Sequence, residues 1–181
     1  VDYQGLARAA ASLALTGERR QGGGTITMQV ARNFFLTPEK TIARKIREIF
    51  LALRIEKELD KQEILTLYMN KIFLGQRSYG VGAASEVYFG KSARDLELHE
   101  AATIAGLPKA PSSDNPVTSP ERALNRRAYV LRRMLETGKI DQSAYDAAIA
   151  APMVSRIFGP TLEVEAPYVA EMARQTMVDR Y

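Results

Sequence analysis

The chain has 181 residues, of which 46% are hydrophobic and 25% are charged, so it can form one hydrophobic core and is not a disordered or collagen-like chain. It has no cysteine and a single histidine, His99, which excludes a disulfide scaffold and argues against a cysteine-ligated zinc site or a histidine-rich metal centre. The net charge is +4, from 25 basic and 21 acidic residues, and no apolar run reaches the roughly 18 residues that cross a bilayer.

Ala, Leu, Glu, Arg and Lys recur at helical spacing along most of the chain, which predicts a mainly α fold. Thr25, Thr37-Pro38, Asp60 and Asp141 are placed as helix starts, and Glu63 gives Asp60 the spacing of a capping box. In chain order, we predict a helix after Thr25 and helices over about 38–59, 60–74, 83–89, 97–105, 120–137, 141–150 and from 167 onwards. The proline-rich segment 108–120 predicts an irregular loop, and 152–165 predicts an extended piece.

Basic residues are concentrated in the first third of the chain. Between Arg19 and Lys57 there are nine Lys or Arg residues and three acidic residues, a local net charge of +6. This excess predicts an anionic partner, which could be phosphate groups, nucleic acid or an anionic membrane surface. The alternative interpretation is a set of scattered, solvated surface cations.

The charge pattern of the helix predicted over 38–59 has two interpretations. On a helical wheel, Glu48 shares a face with Arg44 and Lys45, with which it can pair at i−4 and i−3. An apolar stripe on another side consists of Ile42, Ile46, Ile49, Phe50 and Leu53. This pattern alone predicts an amphipathic helix with a charged outer face. Because residues 49–55 are apolar nearly all round, the alternative is that Glu48 is a partly buried carboxylate beside cations, as many active-site acids and bases are.

A glycine-rich segment precedes this helix. Gly22-Gly23-Gly24 permits close backbone approach, and the helix predicted after Thr25 would favour an anion at its N-terminus. Gln29 and Arg32 lie on one face of that helix, and Asn33 adjoins them. The glycines have neither the lysine of a P-loop nor the spacing of a Rossmann motif, so a hinge is the alternative interpretation.

Three further features leave alternatives open. Phe34-Phe35-Leu36 predicts either core packing or a hydrophobic edge that enters a membrane. Asn70 interrupts an apolar helix, and three interpretations are open for it: a helix-end residue, a hydrogen-bonded core amide or a site residue. Glu56 and Glu58 are more typical of surface charges than of metal ligands, and the sequence has no Asp-x-Asp, HExxH or EF-hand pattern. We therefore predict no dedicated metal site.

Four motifs, in order, resemble those of one family. Residues 22–33, GGGTITMQVARN, resemble GGSTITQQ-x-x-KN, and residues 44–48, RKIRE, resemble RKxxE. Residues 61–70, KQEILTLYMN, resemble K-x-x-IL-x-x-Y-[LM]-N, and residues 100–111, EAATIAGLPKAP, resemble EAA-x-LAGL-x-x-xP. Over about residues 1–111 the chain is thus similar to the peptidoglycan glycosyltransferase domain of class A, bifunctional penicillin-binding proteins.

The resemblance implies a lysozyme-like, mainly α domain with a small irregular lobe, and it implies polymerisation of lipid II. In that reaction the 4-hydroxyl of one sugar attacks the anomeric carbon of another, inverts it and expels polyprenyl pyrophosphate. It also implies that Arg32, Arg44 and Lys45 bind the pyrophosphate and that Glu48, the catalytic candidate, positions or assists the leaving group. The other substrate-binding residues implied are Thr25, Gln29, Asn33 and Asn70. No cofactor is required, although a divalent cation assists some members.

The same resemblance implies a larger protein. Residues 1–181 would form one glycosyltransferase domain without the family's first motif, which is expected just upstream of Val1 and contains the glutamate proposed as general base. We therefore expect a polypeptide of only these residues not to polymerise lipid II. Residues 166–181 would begin the connection to a transpeptidase domain in the same chain. The other implied partners are lipid II, the growing glycan strand and the membrane surface, at the periplasmic face of the cytoplasmic membrane, and not nucleic acid.

Two alternatives come from other functional classes. A lysozyme-like glycan hydrolase needs a water and an acid of raised pKa, whereas the cluster of Arg32, Arg44 and Lys45 favours transfer from a pyrophosphate donor. A basic helical nucleic-acid-binding module needs an exposed helix that reads bases. The apolar helix after Asp60 and the lack of interleaved aromatic residues argue against that module.

Overall fold

The structure of the protein is a computed structural model that describes residues 24–36, 41–153, 156–159 and 167–180. The helices in these ranges are α1 (Ile26–Phe35), α2 (Ile42–Glu58), α3 (Lys61–Lys71), α4 (Val81–Phe89), α5 (Leu98–Gly106), α6 (Pro120–Glu136), α7 (Gln142–Ala150) and α8 (Pro167–Arg180), with short 3-10 helices at Ala93–Asp95 and Leu107–Lys109. Within the same ranges, the β-structure is one isolated antiparallel bridge, between Phe73 and Tyr79. The prediction of a mainly α fold is confirmed.

Three predicted helix caps are confirmed, because each depends on hydrogen bonds between residues close in sequence. The side-chain oxygens of Thr25 and Asp141 each accept a hydrogen bond from the backbone N–H three residues ahead. Asp60 and Glu63 form the full capping box, in which each side chain accepts a hydrogen bond from the backbone N–H of the other residue. These caps begin α1, α7 and α3 respectively.

The predicted start of the long helix is only partly covered by the structure. Thr37-Pro38 lies outside the described residues. The described helix α2 begins at Ile42 after Thr41, whose hydroxyl accepts a hydrogen bond from the N–H of Arg44. Its end at Glu58 agrees with the prediction. Of the extended piece predicted over 152–165, the structure describes 152–153 and 156–159, and neither stretch forms a strand.

The predicted end of α3 is wrong by about one turn, because the chain leaves the helix at Ile72 and enters a tight turn. The last helical residue is Lys71, and Ile72 has an extended backbone (φ −63°, ψ 136°) that leads into the isolated bridge. The chain then reverses at Gly75, which has a φ of +87°. A Cβ at this position would overlap the carbonyl oxygen of Pro111, so the turn requires glycine.

Two hydrophobic clusters connect the second part of the fold. The first joins the end of α3 to α4, α5 and the following 3-10 helix, and consists of Ile72, Leu74, Ala84, Tyr88, Phe89, Ile104 and Leu107. The second joins α5, α6 and α7 through Ala102, Leu131 and Ala148. At the other end of the described chain, α1 packs against both α2 and α3. Its side chains Met28, Val30 and Ala31 are buried, and the candidate site is built on these three helices.

The helix α2 buries the opposite face from the one that its amphipathic pattern alone predicts. The acidic residue Glu48 is 1% exposed and Ala52 is fully buried. In contrast, Ile42, Ile46 and Phe50 are 63%, 50% and 68% exposed. Because α1 packs on α2, the surface that contains Glu48 becomes interior. The prediction of a charged outer face is therefore wrong, and the alternative prediction of a buried Glu48 is confirmed.

Candidate active site around Glu48

The central feature of the candidate site is an ion pair within α2. The Nζ atom of Lys45 lies 2.9 Å from Oε1 of Glu48, one helical turn further on. The Lys45 side chain is 37% exposed and the Glu48 side chain 1%, so a buried carboxylate is paired with a cation that solvent and ligands can reach. The predicted pair at i−3 is confirmed. The predicted pair with Arg44 at i−4 does not form among the described residues.

The backbone that enters α1 approaches this ion pair closely. A Cβ atom at Gly24 would lie 3.7 Å from Oε1 of Glu48 and 3.8 Å from Nζ of Lys45. The next residue, Thr25, caps α1, so the first backbone N–H groups of that helix follow directly. These groups have no intrahelical acceptors and form the positive end of the helix dipole, which favours anions.

Arg44 adds a second cation one turn before Glu48. Its Nε atom is buried and has no hydrogen-bond partner among the described residues. A buried donor without an acceptor lowers stability, so such groups usually have a ligand or a functional role. Phosphate oxygens are well suited to accept from a guanidinium group. Arg44 therefore fits the predicted role of an anion-binding residue.

The predicted site residues of α1 lie within three turns of Gly24. Gln29 and Arg32 are half-buried, and Asn33 is exposed. Burial raises the pKa of the Tyr68 hydroxyl in α3, and the positive charge of Arg32 opposes that rise. Arg32 is thus close enough to α3 for its charge to act on Tyr68, which places this cation where α1 and α3 meet.

Asn70 lies in the last turn of α3 and is exposed. The interpretation of this residue as a core amide is therefore wrong, and its helix-end position is confirmed. Its backbone lies against Gly80, where a Cβ would be 2.7 Å from the Asn70 carbonyl oxygen and where φ is +86°. The loop that follows α3 therefore folds back against the end of this helix.

Two polar contacts were missed by the sequence analysis. The Thr27 hydroxyl in α1 donates a hydrogen bond of 2.7 Å to Oε1 of Glu56 in α2. The spacing of Glu56 and Glu58 in α2 does not indicate that Glu56 bonds to a residue 29 positions away. Lys91 donates hydrogen bonds of 2.9 Å and 3.0 Å to the two carboxylate oxygens of Glu100, which is buried at the start of α5. In the sequence, the only indication that Glu100 has a particular role was its position in a family motif.

A further buried cation lies away from these helices. Arg127 of α6 is 1% exposed, and its guanidinium group donates hydrogen bonds to the carbonyl oxygens of Ile149, Ala151 and Pro152. These carbonyls end α7, so Arg127 caps the negative end of that helix dipole. Burial lowers the pKa of the Arg127 guanidinium. Its contacts are those of a residue that joins α6 to α7.

The chemistry available around Glu48 is that of an anion site beside a carboxyl group. Lys45, Arg44 and the N-terminus of α1 supply positive charge and N–H donors, and Glu48 supplies a group that can orient a ligand or exchange a proton. Across the described ranges, no group of three or more His, Cys, Asp or Glu side chains is placed to hold a metal ion.

The chain is similar to known proteins in sequence and in structure. A family model described as Transglycosylase matches residues 1–135. Penicillin-binding protein 1A of Vibrio cholerae is 57% identical over 180 residues, which are 99% of this chain and 22% of that protein. Penicillin-binding protein 1A of Pseudomonas aeruginosa is 55% identical over 181 residues, which are 100% of this chain and 22% of that protein.

The structural comparison also finds similarity to a penicillin-binding protein. A crystal structure of penicillin-binding protein 1A from Haemophilus influenzae matches with a TM-score of 0.55 and 43% sequence identity. The match covers 87% of this chain and 20% of that chain. The chain therefore spans about a fifth of the length of the relatives that it matches.

Proposed function

Since the chain belongs to the transglycosylase family, we propose that it is the part of a peptidoglycan glycosyltransferase that polymerises lipid II into glycan strands. The observation that carries this proposal is the environment of Glu48, a carboxylate that is 1% exposed and held 2.9 Å from the Lys45 ammonium beside the backbone of Gly24. This environment suits a reaction in which an anionic leaving group departs next to a carboxyl group.

The proposed donor substrate is a sugar linked to a polyprenyl pyrophosphate. We assign the pyrophosphate to the cations Arg32, Arg44 and Lys45, because the buried Nε atom of Arg44 has no hydrogen-bond partner among the described residues and Lys45 is accessible beside Glu48. Negative charge grows on the phosphate oxygens as they leave the sugar. Fixed cations therefore bind the transition state more strongly than the ground state, which accelerates the reaction.

In the proposed step, the 4-hydroxyl oxygen of the acceptor sugar forms a bond to the anomeric carbon of the donor. The bond from that carbon to the pyrophosphate oxygen breaks, and its electron pair leaves with the pyrophosphate. The hydroxyl proton passes to a general base, for which we propose the glutamate of the family's first motif, a residue outside this sequence. Attack from the side opposite to the leaving group inverts the anomeric carbon.

Within this step, Glu48 is proposed to orient or assist the departing pyrophosphate. Its contact with Lys45 fixes the carboxylate at the cationic end of the site. The residues that we propose to contact the remaining donor atoms are Thr25, Gln29, Asn33 and Asn70. Of these, Thr25 is the one whose position is set most directly, because it caps α1 next to Gly24.

An exposed apolar surface supports contact with a lipid bilayer. We propose that Phe34 and Phe35 of α1 and Ile42, Ile46 and Phe50 of α2, all of which are exposed, form one apolar surface, called the apolar surface below. The ammonium of Lys71 lies 5.5 Å from the centre of the Phe34 ring, so a cation borders this surface. Aromatic and aliphatic side chains next to cations are typical of surfaces that enter the headgroup region of anionic membranes. Among the described residues, no helix has the length and the apolar character to cross a membrane.

The curated relatives are penicillin-binding proteins, and this homology indicates a protein of the cell envelope. More specifically, we propose that the chain acts at the periplasmic face of the cytoplasmic membrane, where lipid II and the growing glycan strand would be its partners. We also propose that 166–181 begins the connection to a transpeptidase domain, since the relatives are several times longer than this chain.

We propose that the reaction needs no resident cofactor, since Arg32, Arg44, Lys45 and the α1 N-terminus provide the charge that the pyrophosphate requires. A divalent cation would then act only through the phosphate oxygens of the substrate. Chelation of divalent cations should accordingly reduce polymerisation less than the loss of Lys45 does. Complete dependence on an added metal ion, with no effect of removing Lys45, would refute this proposal.

The proposed function is tested by incubating the natural full-length polypeptide that contains this sequence with lipid II and, separately, with finished peptidoglycan. We expect glycan polymers from lipid II and no soluble fragments from finished peptidoglycan. Release of fragments without polymerisation would instead identify a hydrolase. Salt-dependent binding of DNA without either reaction would identify a nucleic-acid-binding module.

A further inference from the structure

We propose that Thr27 and Glu56 are positioning residues, whose hydrogen bond fixes the start of α1 over the Lys45–Glu48 pair. The expected effect of this bond on the reaction rate rests on the proposed function, whereas its expected effect on the position of α1 rests on the structure alone. The Thr27 hydroxyl donates to Oε1 of Glu56 over 2.7 Å, and the two residues are 29 positions apart. Thr27 is 6% exposed, so its hydroxyl lies at the contact between α1 and α2.

The proposal follows from where the contacts lie along the two helices. Near the start of α1, Gly24 approaches Glu48, and three residues later Thr27 bonds to Glu56. Glu48 and Glu56 are eight residues apart in α2, which corresponds to about 12 Å along its axis. The close approach at Gly24 and the hydrogen bond at Thr27 thus lie at well-separated points of α2, and the hydrogen bond constrains the direction in which the first turn of α1 crosses it.

The apolar packing around Thr27 does not determine this register by itself. Met28 and Ala31 of α1 and Ala52 of α2 are fully buried, but apolar burial has little directional preference. A hydrogen bond has a defined distance and angle, so it selects one register among several that bury similar area. Glu56 is exposed, so loss of the bond to Thr27 does not leave a buried carboxylate behind. Loss of the bond should therefore shift α1 without unfolding the protein.

A shift of the first turn of α1 would displace the groups that we propose to bind the donor substrate. Thr25 and the first N–H groups of α1 directly follow Gly24, and Gln29 lies one turn further on. A misplacement of about 1 Å in positioned groups can cost about 100-fold in rate. The Thr27–Glu56 bond would then affect turnover without contacting the substrate.

The test compares Thr27→Val, which keeps the shape and removes the donor, with Thr27→Ser, which keeps the donor. Glu56→Ala removes the acceptor at an exposed position, and Glu58→Gln is the matched control on the neighbouring acid. In lipid II polymerisation by the full-length protein, we expect Thr27→Val and Glu56→Ala to lower kcat about tenfold with a smaller change in KM. Thr27→Ser and Glu58→Gln should keep wild-type values. The double variant Thr27→Val with Glu56→Ala should be no slower than Glu56→Ala alone.

A second readout does not depend on the proposed function. Hydrogen exchange of the backbone amides of Gln29, Val30 and Ala31 in α1, which donate within the helix, should accelerate about tenfold in Thr27→Val and Glu56→Ala, with unchanged exchange in α5. Unchanged exchange in both variants would overturn the positioning role, and so would wild-type kcat and KM in a protein that polymerises lipid II. If the wild-type protein does not polymerise lipid II, the proposed function fails and the exchange experiment alone decides the positioning role.

Discussion

The ammonium of Lys45 lies 2.9 Å from a Glu48 carboxylate that is 1% exposed, on a helix that leaves Ile42 and Ile46 exposed. An acidic side chain is rarely buried without a partner, because removing it from water costs several kcal/mol unless a cation or donors compensate. In this site the compensating cation remains accessible. The pair therefore joins a buried carboxyl group to the surface that we assign to an anionic substrate.

Replacing Lys45 by Met should leave Glu48 without its cation and remove one ligand of the proposed pyrophosphate. Because the Glu48 carboxylate is 1% exposed and would lose its compensating cation, we expect a loss of stability of about 3 kcal/mol. The rate of lipid II polymerisation should fall about 10–100-fold, the value of one charge-assisted contact. Lys57→Met, in the last turn of the same helix, is the control, and an equal loss of activity in both variants would refute a specific role of Lys45.

Substitutions in the apolar surface should weaken membrane binding without affecting the fold. We expect Phe35→Ser, and likewise Ile46→Ser with Phe50→Ser, to reduce affinity for vesicles with anionic phospholipids by about fivefold to tenfold per exposed side chain. The control is Tyr129→Ser on α6, which removes an apolar group of similar exposure. Sedimentation with vesicles measures the difference, and equal binding by all variants would exclude bilayer contact through this surface.

The stability contributed by Glu100 should depend on pH. Burial alone would raise the pKa of the Glu100 carboxyl, but hydrogen bonds from Lys91 and from the N–H of Glu97 outweigh it and hold the pKa below the ordinary value of 4.5. A lowered pKa in the folded state means that the charged form stabilises the fold above about pH 4.5 and that this stabilisation is lost as the pH falls further.

Glu100→Gln should therefore reduce the free energy of unfolding by about 1–3 kcal/mol at pH 7. The difference from wild type should shrink as the pH falls below 4.5. Urea unfolding at a series of pH values measures both quantities, and Glu86→Gln at an exposed position of α4 is the control. A difference that stays constant down to pH 3 would show that the charge of Glu100 does not contribute.

Two glycines should respond in opposite ways to alanine. Gly75→Ala places a Cβ against the Pro111 carbonyl at a φ of +87°, and we expect it to lower stability by about 2 kcal/mol or more. Gly82→Ala lies in the first turn of α4 with nothing within 4 Å of the new Cβ, and we expect a gain of about 0.5 kcal/mol. Thermal unfolding followed by circular dichroism compares them, and a stable Gly75→Ala variant would show that the turn is not constrained.

The features that sequence reasoning predicted correctly depend on residues close together in the chain. The caps at Thr25, Asp60 and Asp141 follow from hydrogen bonds over three residues, and the Lys45–Glu48 pair follows from one turn of helix. The burial of Glu48 was predicted only as an alternative. A helical wheel separates the faces of a helix but does not show which face packs against another helix.

The features that were missed depend on contacts between distant segments. α3 ends at Lys71 ahead of a turn at Gly75 that lies against Pro111, a residue far along the chain. The Thr27–Glu56 bond depends on how α1 crosses α2, which the pattern of either helix does not specify. The exposure of Ile42, Ile46 and Phe50 on α2 departs from the usual burial of large apolar side chains, and a membrane partner for the apolar surface would account for that departure.

The most direct test of the proposed mechanism is the rate of lipid II polymerisation by the full-length protein with Glu48→Gln. The amide matches the carboxylate in shape and can still accept a hydrogen bond from Lys45, so the fold should be retained in circular dichroism. Our account predicts a fall in rate of about 100-fold or more, because the amide carries no charge and exchanges no proton. A folded Glu48→Gln variant that polymerises lipid II at the wild-type rate would contradict the role of Glu48.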